Sequence, residues 1–143
     1  MIRRAEQKDI HYINDLLYQV LNVHHKGRPD IFKANAKKYT DEQLKSIIDD
    51  ENTPIFVYDD NGRVKGYVFC VITQQKGSNI LTDLKSLYID DLCVDEKCRG
   101  QGIGKQLYDF AENYARQINC YNLTLNVWSC NQSAMEFYRK QGL

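Results

Sequence analysis

The sequence predicts an α/β fold, a mixed sheet of mostly antiparallel, twisted strands flanked by helices. Three observations predict it. Apolar residues at helical spacing dominate the opening third, two β-rich runs around a turn follow, and the last third alternates strand, helix, strand, helix. Nothing repeats and no linker-like stretch divides the chain. Residues 1–143 therefore read as one domain, long enough to bury a core.

Taken in order, Ile2 to Ala5 is a short strand, and Asp9 is suited to cap the helix that follows. Ile10, Ile13, Leu17, Val20 and Leu21 recur on one side of that helix. Gly27 and Pro29 interrupt the period, so His24 to Asp30 reads as a loop. Thr40 with Gln43 forms a capping box, and Leu44, Ile47 and Ile48 give the next helix its apolar side. Ile55 to Tyr58 and Val64 to Thr73 are strands of a hairpin around the Asp59-Asp60-Asn61-Gly62 turn. Leu84 to Val94 is another strand, followed by a helix from about Gly102 to Ile118, a strand from Tyr121 to Trp128 and a helix from about Gln132 to Gln141.

Composition excludes several classes. Hydrophobic residues at 43% and charged residues at 27% describe a globular chain rather than a disordered one. Nineteen basic residues balance nineteen acidic ones, which leaves no overall electrostatic footprint for nucleic acid or an anionic membrane. No apolar run reaches the ~20 residues of a spanning helix. The N-terminus turns polar at once, unlike a secretory signal, so the expected location is cytoplasmic. Five scattered cysteines with no C-x-x-C pair point to small buried thiols rather than to a disulfide framework or a metal site.

The informative segment is Val94-Asp95-Glu96-Lys97-Cys98-Arg99-Gly100-Gln101-Gly102-Ile103-Gly104-Lys105. It joins a strand to an amphipathic helix with apolar positions Ile103, Leu107, Phe110, Ala111, Tyr114, Ala115 and Ile118. Alternate glycines leave the backbone bare where the helix starts. Unpaired N–H groups and the positive end of the helix dipole then face outward together, which suits a phosphate or pyrophosphate. Arg99 and Lys105 add formal charge. A P-loop would need glycine at 99 and Ser or Thr at 106, where Arg99 and Gln106 stand. A dinucleotide fingerprint from Gly100 would need glycine where Lys105 stands. The plainer alternative is a glycine-rich turn that only starts a helix.

Arg99 to Gly104 resembles the Arg/Gln-x-x-Gly-x-Gly/Ala signature of the GNAT superfamily of N-acetyltransferases. Tyr88 to Val94 looks like that family's central strand, Asn131 to Tyr138 like its Asn-x-x-Ala-x-x-Phe-Tyr signature, and Ile2-Arg3-Arg4-Ala5 with Asp9 like its opening. The resemblance implies a GNAT-like acyl-CoA N-acyltransferase fold and acetyl-CoA as co-substrate, with no metal. It implies that the backbone of Leu92, Cys93 and Val94 pairs with the pantetheine arm like an added strand. Arg99, Gly100, Gln101, Gly102, Ile103, Gly104 and Lys105 would surround the pyrophosphate, Asn131 would bond the pantetheine, and Tyr138 would serve as general acid beside the sulfur. Family members continue into one or two further strands beyond Leu143, so the C-terminal strands are expected to be missing from this chain. The sheet edge then invites pairing into a homodimer.

Residue chemistry supports part of this. Asn131 and Tyr138 are two helical turns apart and can face one cleft. A tyrosine hydroxyl of reference pKa about 10 can hand a proton to a leaving thiolate of about 8.5. An amine acceptor of reference pKa about 10.4 needs a base, and the nearest are Asp90 and Asp91. Neighbouring strand residues point to opposite faces, so both line one site only if a bulge intervenes. Many relatives carry an acidic residue at the place of Asp90, which makes it the expected base, directly or through water. His24 and His25 read as a solvated pair. Tyr88, Trp128 and Phe32 form either an aromatic wall for a cationic amine or ordinary core. The expected function is acetyl transfer from acetyl-CoA to a primary amine of a small molecule, by direct attack in a ternary complex. A protein N-terminus or lysine as acceptor, and a CoA-binding module without turnover, are the alternatives.

Overall fold

The computed structural model describes residues 1–27, 39–75 and 84–125. The described elements are β1 (Ile2–Arg4), α1 (Ile10–Gly27), α2 (Asp41–Asp49), β2 (Ile55–Asp60), β3 (Arg63–Gln75), β4 (Leu84–Val94), α3 (Ile103–Gln117) and β5 (Asn122–Leu125). The strands lie in the order β1-β2-β3-β4-β5, antiparallel throughout except for the parallel pair β4–β5. This is the mixed sheet expected. The parallel step follows from chain direction, because α3 carries the chain back across the sheet between β4 and β5.

Two apolar clusters cover the two faces. Ile10, Ile13, Leu16 and Leu17 of α1 and Leu44 and Ile48 of α2 pack on Ile55, Val57, Tyr67 and Phe69. On the other face Ile103, Leu107, Ala111 and Ala115 of α3 pack on Phe56, Val68, Leu87 and Ile89. The spacing of the α3 residues places all four on one side of that helix, as its sequence period requires. Phe110 and Tyr114 set their rings 4.8 and 5.0 Å from that of Phe56.

Local chemistry fixes the ends. Asn61 (φ 53°) and Gly62 (φ 90°) both sit in the left-handed region, as a two-residue hairpin turn demands, and the Gly62 N–H donates to Asp59 Oδ1 at 2.7 Å. The Thr40 capping box is formed in both directions, Gln43 N–H to Thr40 Oγ1 at 3.1 Å and Thr40 N–H to Gln43 Oε1 at 2.9 Å.

Two local expectations are corrected. Asp9 ends a short 3-10 turn (Gln7–Asp9) that runs straight into α1, so it does not cap from a non-helical flank. Its carboxylate instead accepts the Glu6 N–H at 2.8 Å and a bidentate pair from Arg3 at 2.8 and 2.8 Å, while Arg3 Nε reaches Asp59 at 2.9 Å. That network ties β1, the helix entry and the hairpin turn together. The helix also runs past its expected end: α1 continues through His24 and His25 to Gly27, the last described residue before Tyr39, so this pair is helical rather than in a loop.

Candidate functional site

The site is built where β4 hands over to α3. On one side β4 pairs with β3 through to Val94; on the other, β5 pairs only with Ser86 to Ile89. Among the described residues, the edge from Asp90 to Val94 on the β5 side is therefore unpaired. Cys93 turns its thiol inward, with Sγ 3.7 Å from the Leu16 carbonyl oxygen on the α1 face, so only its backbone reaches the edge. Leu92 and Val94 lean onto the α3 cluster. An extended ligand could pair with such an edge as an extra strand does.

The register contains the bulge that the pair of aspartates requires. Phe69 lies opposite Asp91 and Cys70 opposite Ile89, which leaves Asp90 as an extra residue without a counterpart in β3. Ile89 and Leu92 are three residues apart, yet both pack against the α3 cluster. Strand alternation is thus reset at Asp90 and Asp91, which together fall on the α1 face. Asp91 accepts a hydrogen bond from Tyr67 Oη at 2.7 Å, and Tyr67 is fully buried. Burial, then the charges of Asp91 and Cys93, pushes the Tyr67 hydroxyl well above its ordinary range, so it stays a donor. Asp90 is half-buried, and its side chain makes no hydrogen bond to a described residue.

The connection to α3 is tied on both sides. The Asp95 N–H donates to the Lys65 carbonyl at 2.9 Å, and the Glu96 N–H to Gln19 Oε1 of α1 at 3.1 Å. Asp95 caps a 3-10 turn (Glu96–Cys98) by accepting the Lys97 N–H at 3.1 Å, and Cys98 plugs into the core. Arg99 then leaves exposed and extended, and Gly100 (φ 84°) and Gly102 (φ 78°) turn the chain into α3 through the left-handed region. The first i→i−4 bond of α3 runs from the Gln106 N–H to the Gly102 carbonyl at 3.1 Å. The amides of Ile103, Gly104 and Lys105 precede it and are the donors a helix start leaves over. A Cβ added at Gly100 or Gly102 would meet nothing within 4 Å, so open space lies over the turn. Bare amides, a helix N-terminus and free volume fit a diphosphate. Lys105 is shared, since its Nζ lies 2.9 Å from Asp109 one turn along.

Gly66 was not singled out by the sequence, although a lone glycine inside a strand is the signal of close backbone approach. A Cβ there would stand 3.0 Å from the Cys93 carbonyl oxygen, 3.0 Å from Leu107 Cδ1 and 3.3 Å from Ile103 Cγ2. The missing side chain lets the first turn of α3 settle against β3 beside the end of β4. Tyr67 was also missed, and nothing local marks it. Asn131, Tyr138, Trp128 and Phe32 lie outside the described residues, as does the helix expected from Gln132 to Gln141. Burial pushes the Cys70 thiol up to about 12 and also raises Cys93, as inert buried thiols require. Among the described residues no metal-binding cluster forms, and no helix is long and apolar enough to cross a membrane.

The arrangement meets its family at this point: residues 17–143 match the Acetyltransferase (GNAT) family. The chain is a GNAT-family member. An uncharacterized N-acetyltransferase of Archaeoglobus fulgidus is 28% identical over 142 residues, covering 99% of this chain and 91% of that protein. The glucosamine 6-phosphate N-acetyltransferase of Arabidopsis thaliana is 24% identical over 102 residues, covering 71% of this chain and 64% of that protein. A crystal structure of a tetramutant of the BH1408 protein from Bacillus halodurans shares 28% identity and superposes with a TM-score of 0.91, covering 100% of this chain and 92% of that one. The chain spans less than two thirds of several other curated relatives, from 26% to 65% of their length. The GNAT fold is thus established for this chain.

Proposed function

We propose that this GNAT-family chain transfers the acetyl group of acetyl-CoA to the primary amine of a small molecule, by direct attack within a ternary complex. One observation carries the reading: the glycine-opened start of α3 is held against the end of β4, whose edge, unpaired among the described residues, begins at a bulge bearing a carboxylate. On this reading the amides of Ile103, Gly104 and Lys105, with Arg99, hold the diphosphate. The backbone of Leu92 to Val94 holds the pantetheine arm, and Asn131 adds a hydrogen bond to it. Bound acetyl-CoA supplies an electrophilic thioester and a thiol leaving group. Asp90 takes the proton that the amine sheds as its nitrogen bonds to the acetyl carbon. Tyr138 gives a proton to the sulfur as the carbon–sulfur bond breaks.

A small-molecule acceptor is favoured over a peptide by the name of the Arabidopsis relative, whose acceptor is an amino sugar phosphate. The test is free-thiol release from acetyl-CoA across a panel of small amines, amino sugars, N-terminal peptides and lysine peptides. Thiol release with a small amine is expected, and Tyr138→Phe is expected to bind acetyl-CoA normally while losing most turnover. Binding of acetyl-CoA without thiol release from any acceptor would replace the enzyme by a CoA-binding module. Normal turnover in Tyr138→Phe would remove that residue from the reaction.

A further inference from the structure

Two adjacent carboxylates at one bulge raise the question of which one meets the acceptor amine. We infer that Tyr67 decides it: by engaging Asp91, this tyrosine acts as a positioning residue that leaves Asp90 alone to receive the amine. The inference rests on the acetyl-transfer reading and assigns a role to a residue that never touches the substrate.

The bond joins diagonal neighbours across β3 and β4. Tyr67 is paired with Cys93 and Phe69 with Asp91, so the Tyr67 hydroxyl reaches back along the strand to Asp91 Oδ2 at 2.7 Å. Tyr67 has no exposed surface, and its ring is wedged edge-on against Phe69 with centroids 4.8 Å apart. Its hydroxyl can neither swing out nor reach water, so the donor is fixed in direction. A charge-assisted bond to a half-buried carboxylate is about twice as strong as a neutral one.

The consequence is chemical. A carboxylate is a good resting place for an ammonium group, and two equivalent ones side by side would hold the acceptor in two poses. Only the pose at Asp90 places the nitrogen for reaction on the present reading. Holding Asp91 against β3 removes the idle pose. An acceptor that binds unproductively lowers kcat and KM together and leaves their ratio almost unchanged.

The experiment compares Tyr67→Phe, Asp91→Asn, Asp90→Asn and the double variant Tyr67→Phe/Asp91→Asn in steady-state kinetics with the best amine of the panel. Phenylalanine keeps the buried ring, and asparagine keeps an oxygen for the Tyr67 hydroxyl. Tyr67→Phe is expected to lower kcat and acceptor KM together by about tenfold, with acetyl-CoA KM unmoved. Asp91→Asn should stay within about threefold of wild type, and Asp90→Asn should lose about a hundredfold in kcat. In the double variant, kcat should return towards wild type, a rescue that loss of packing would not give. Unchanged kcat in Tyr67→Phe, no recovery in the double variant, or equal losses at Asp90 and Asp91 would each overturn the inference while leaving acetyl transfer standing. If Tyr67→Phe melts below the assay temperature, Asp91→Asn and Asp91→Ala decide alone, through retained turnover or its loss. A wild-type protein inert towards every amine would remove the acetyl-transfer reading and this inference with it.

Discussion

Replacing Gly66 by alanine tests how the start of α3 is set against the sheet. The new methyl group would stand 3.0 Å from the Cys93 carbonyl oxygen and 3.0 Å from Leu107, with Ile103 at 3.3 Å. The Leu107 methyl can rotate away, but the Cys93 carbonyl belongs to paired backbone and cannot. Relief at that oxygen strains the β3–β4 pairing, and relief at Ile103 and Leu107 lifts the first turn of α3. Overpacking of this kind costs about 1–3 kcal/mol, against about 0.4–1 kcal/mol regained from a stiffer unfolded chain. A net loss of about 1–2 kcal/mol lowers the melting temperature by about 3–8 °C in a domain of this size. The displaced amides are those proposed to hold the diphosphate, so acetyl-CoA KM should rise severalfold. Acetyl-pantetheine, which lacks the diphosphate, should be used as well by the variant as by wild type. Scanning calorimetry and thiol-release kinetics with both donors read the outcome. An unaltered melting temperature together with an unaltered acetyl-CoA KM would refute the reasoning. An equal rise in KM for both donors would refute the link to the diphosphate.

Three further outcomes follow from the same geometry. Gly102→Val forces a β-branched residue to φ near 78° in open space; it should cost about 1–2 kcal/mol in denaturant melts and weaken CoA binding by calorimetry about tenfold or more. Burial pushes the Asp9 carboxyl upward, but the Arg3 hydrogen bonds, the Glu6 amide and the charges of Arg3 and Lys8 outweigh it and hold it below the usual carboxylate range. Its stabilisation is therefore complete above the unfolded value and is lost as pH falls through the folded one. Denaturant stability should drop as pH falls below the usual carboxylate range, and Asp9→Asn should flatten that limb while costing about 1.5–3 kcal/mol at neutral pH. Thr40→Ala removes one half of a capping box formed at 3.1 Å and should cost about 1 kcal/mol in the same melts.

Much of the fold was legible because its signals are local. The period of Ile103, Leu107, Ala111 and Ala115 marks one side of a helix wherever that helix ends up. Asn61-Gly62 specifies a turn by its own backbone freedom, and the strand expected at Leu84 to Val94 has those bounds. The glycine-rich start of α3 was legible for the same reason, since bare amides need only glycines and a following helix. Where a local signal was misread, a longer-range partner had intervened. Asp9 has the residue type of a cap, yet its carboxylate is drawn to Arg3 and Glu6.

The division of the site between Asp90 and Asp91 could not be read from Tyr88 to Val94 alone. A bulge is a mismatch of register between two strands, and the partner strand that defines it is twenty residues away in sequence. Tyr67 finds Asp91, and Gly66 admits Leu107, only after β3, β4 and α3 are stacked. Periodicity and turn chemistry are carried by neighbouring residues, so the chain by itself specifies its elements and its glycine-rich turn. Which carboxylate is held and which is left free depends on contacts between distant segments, and only the packed sheet decides it.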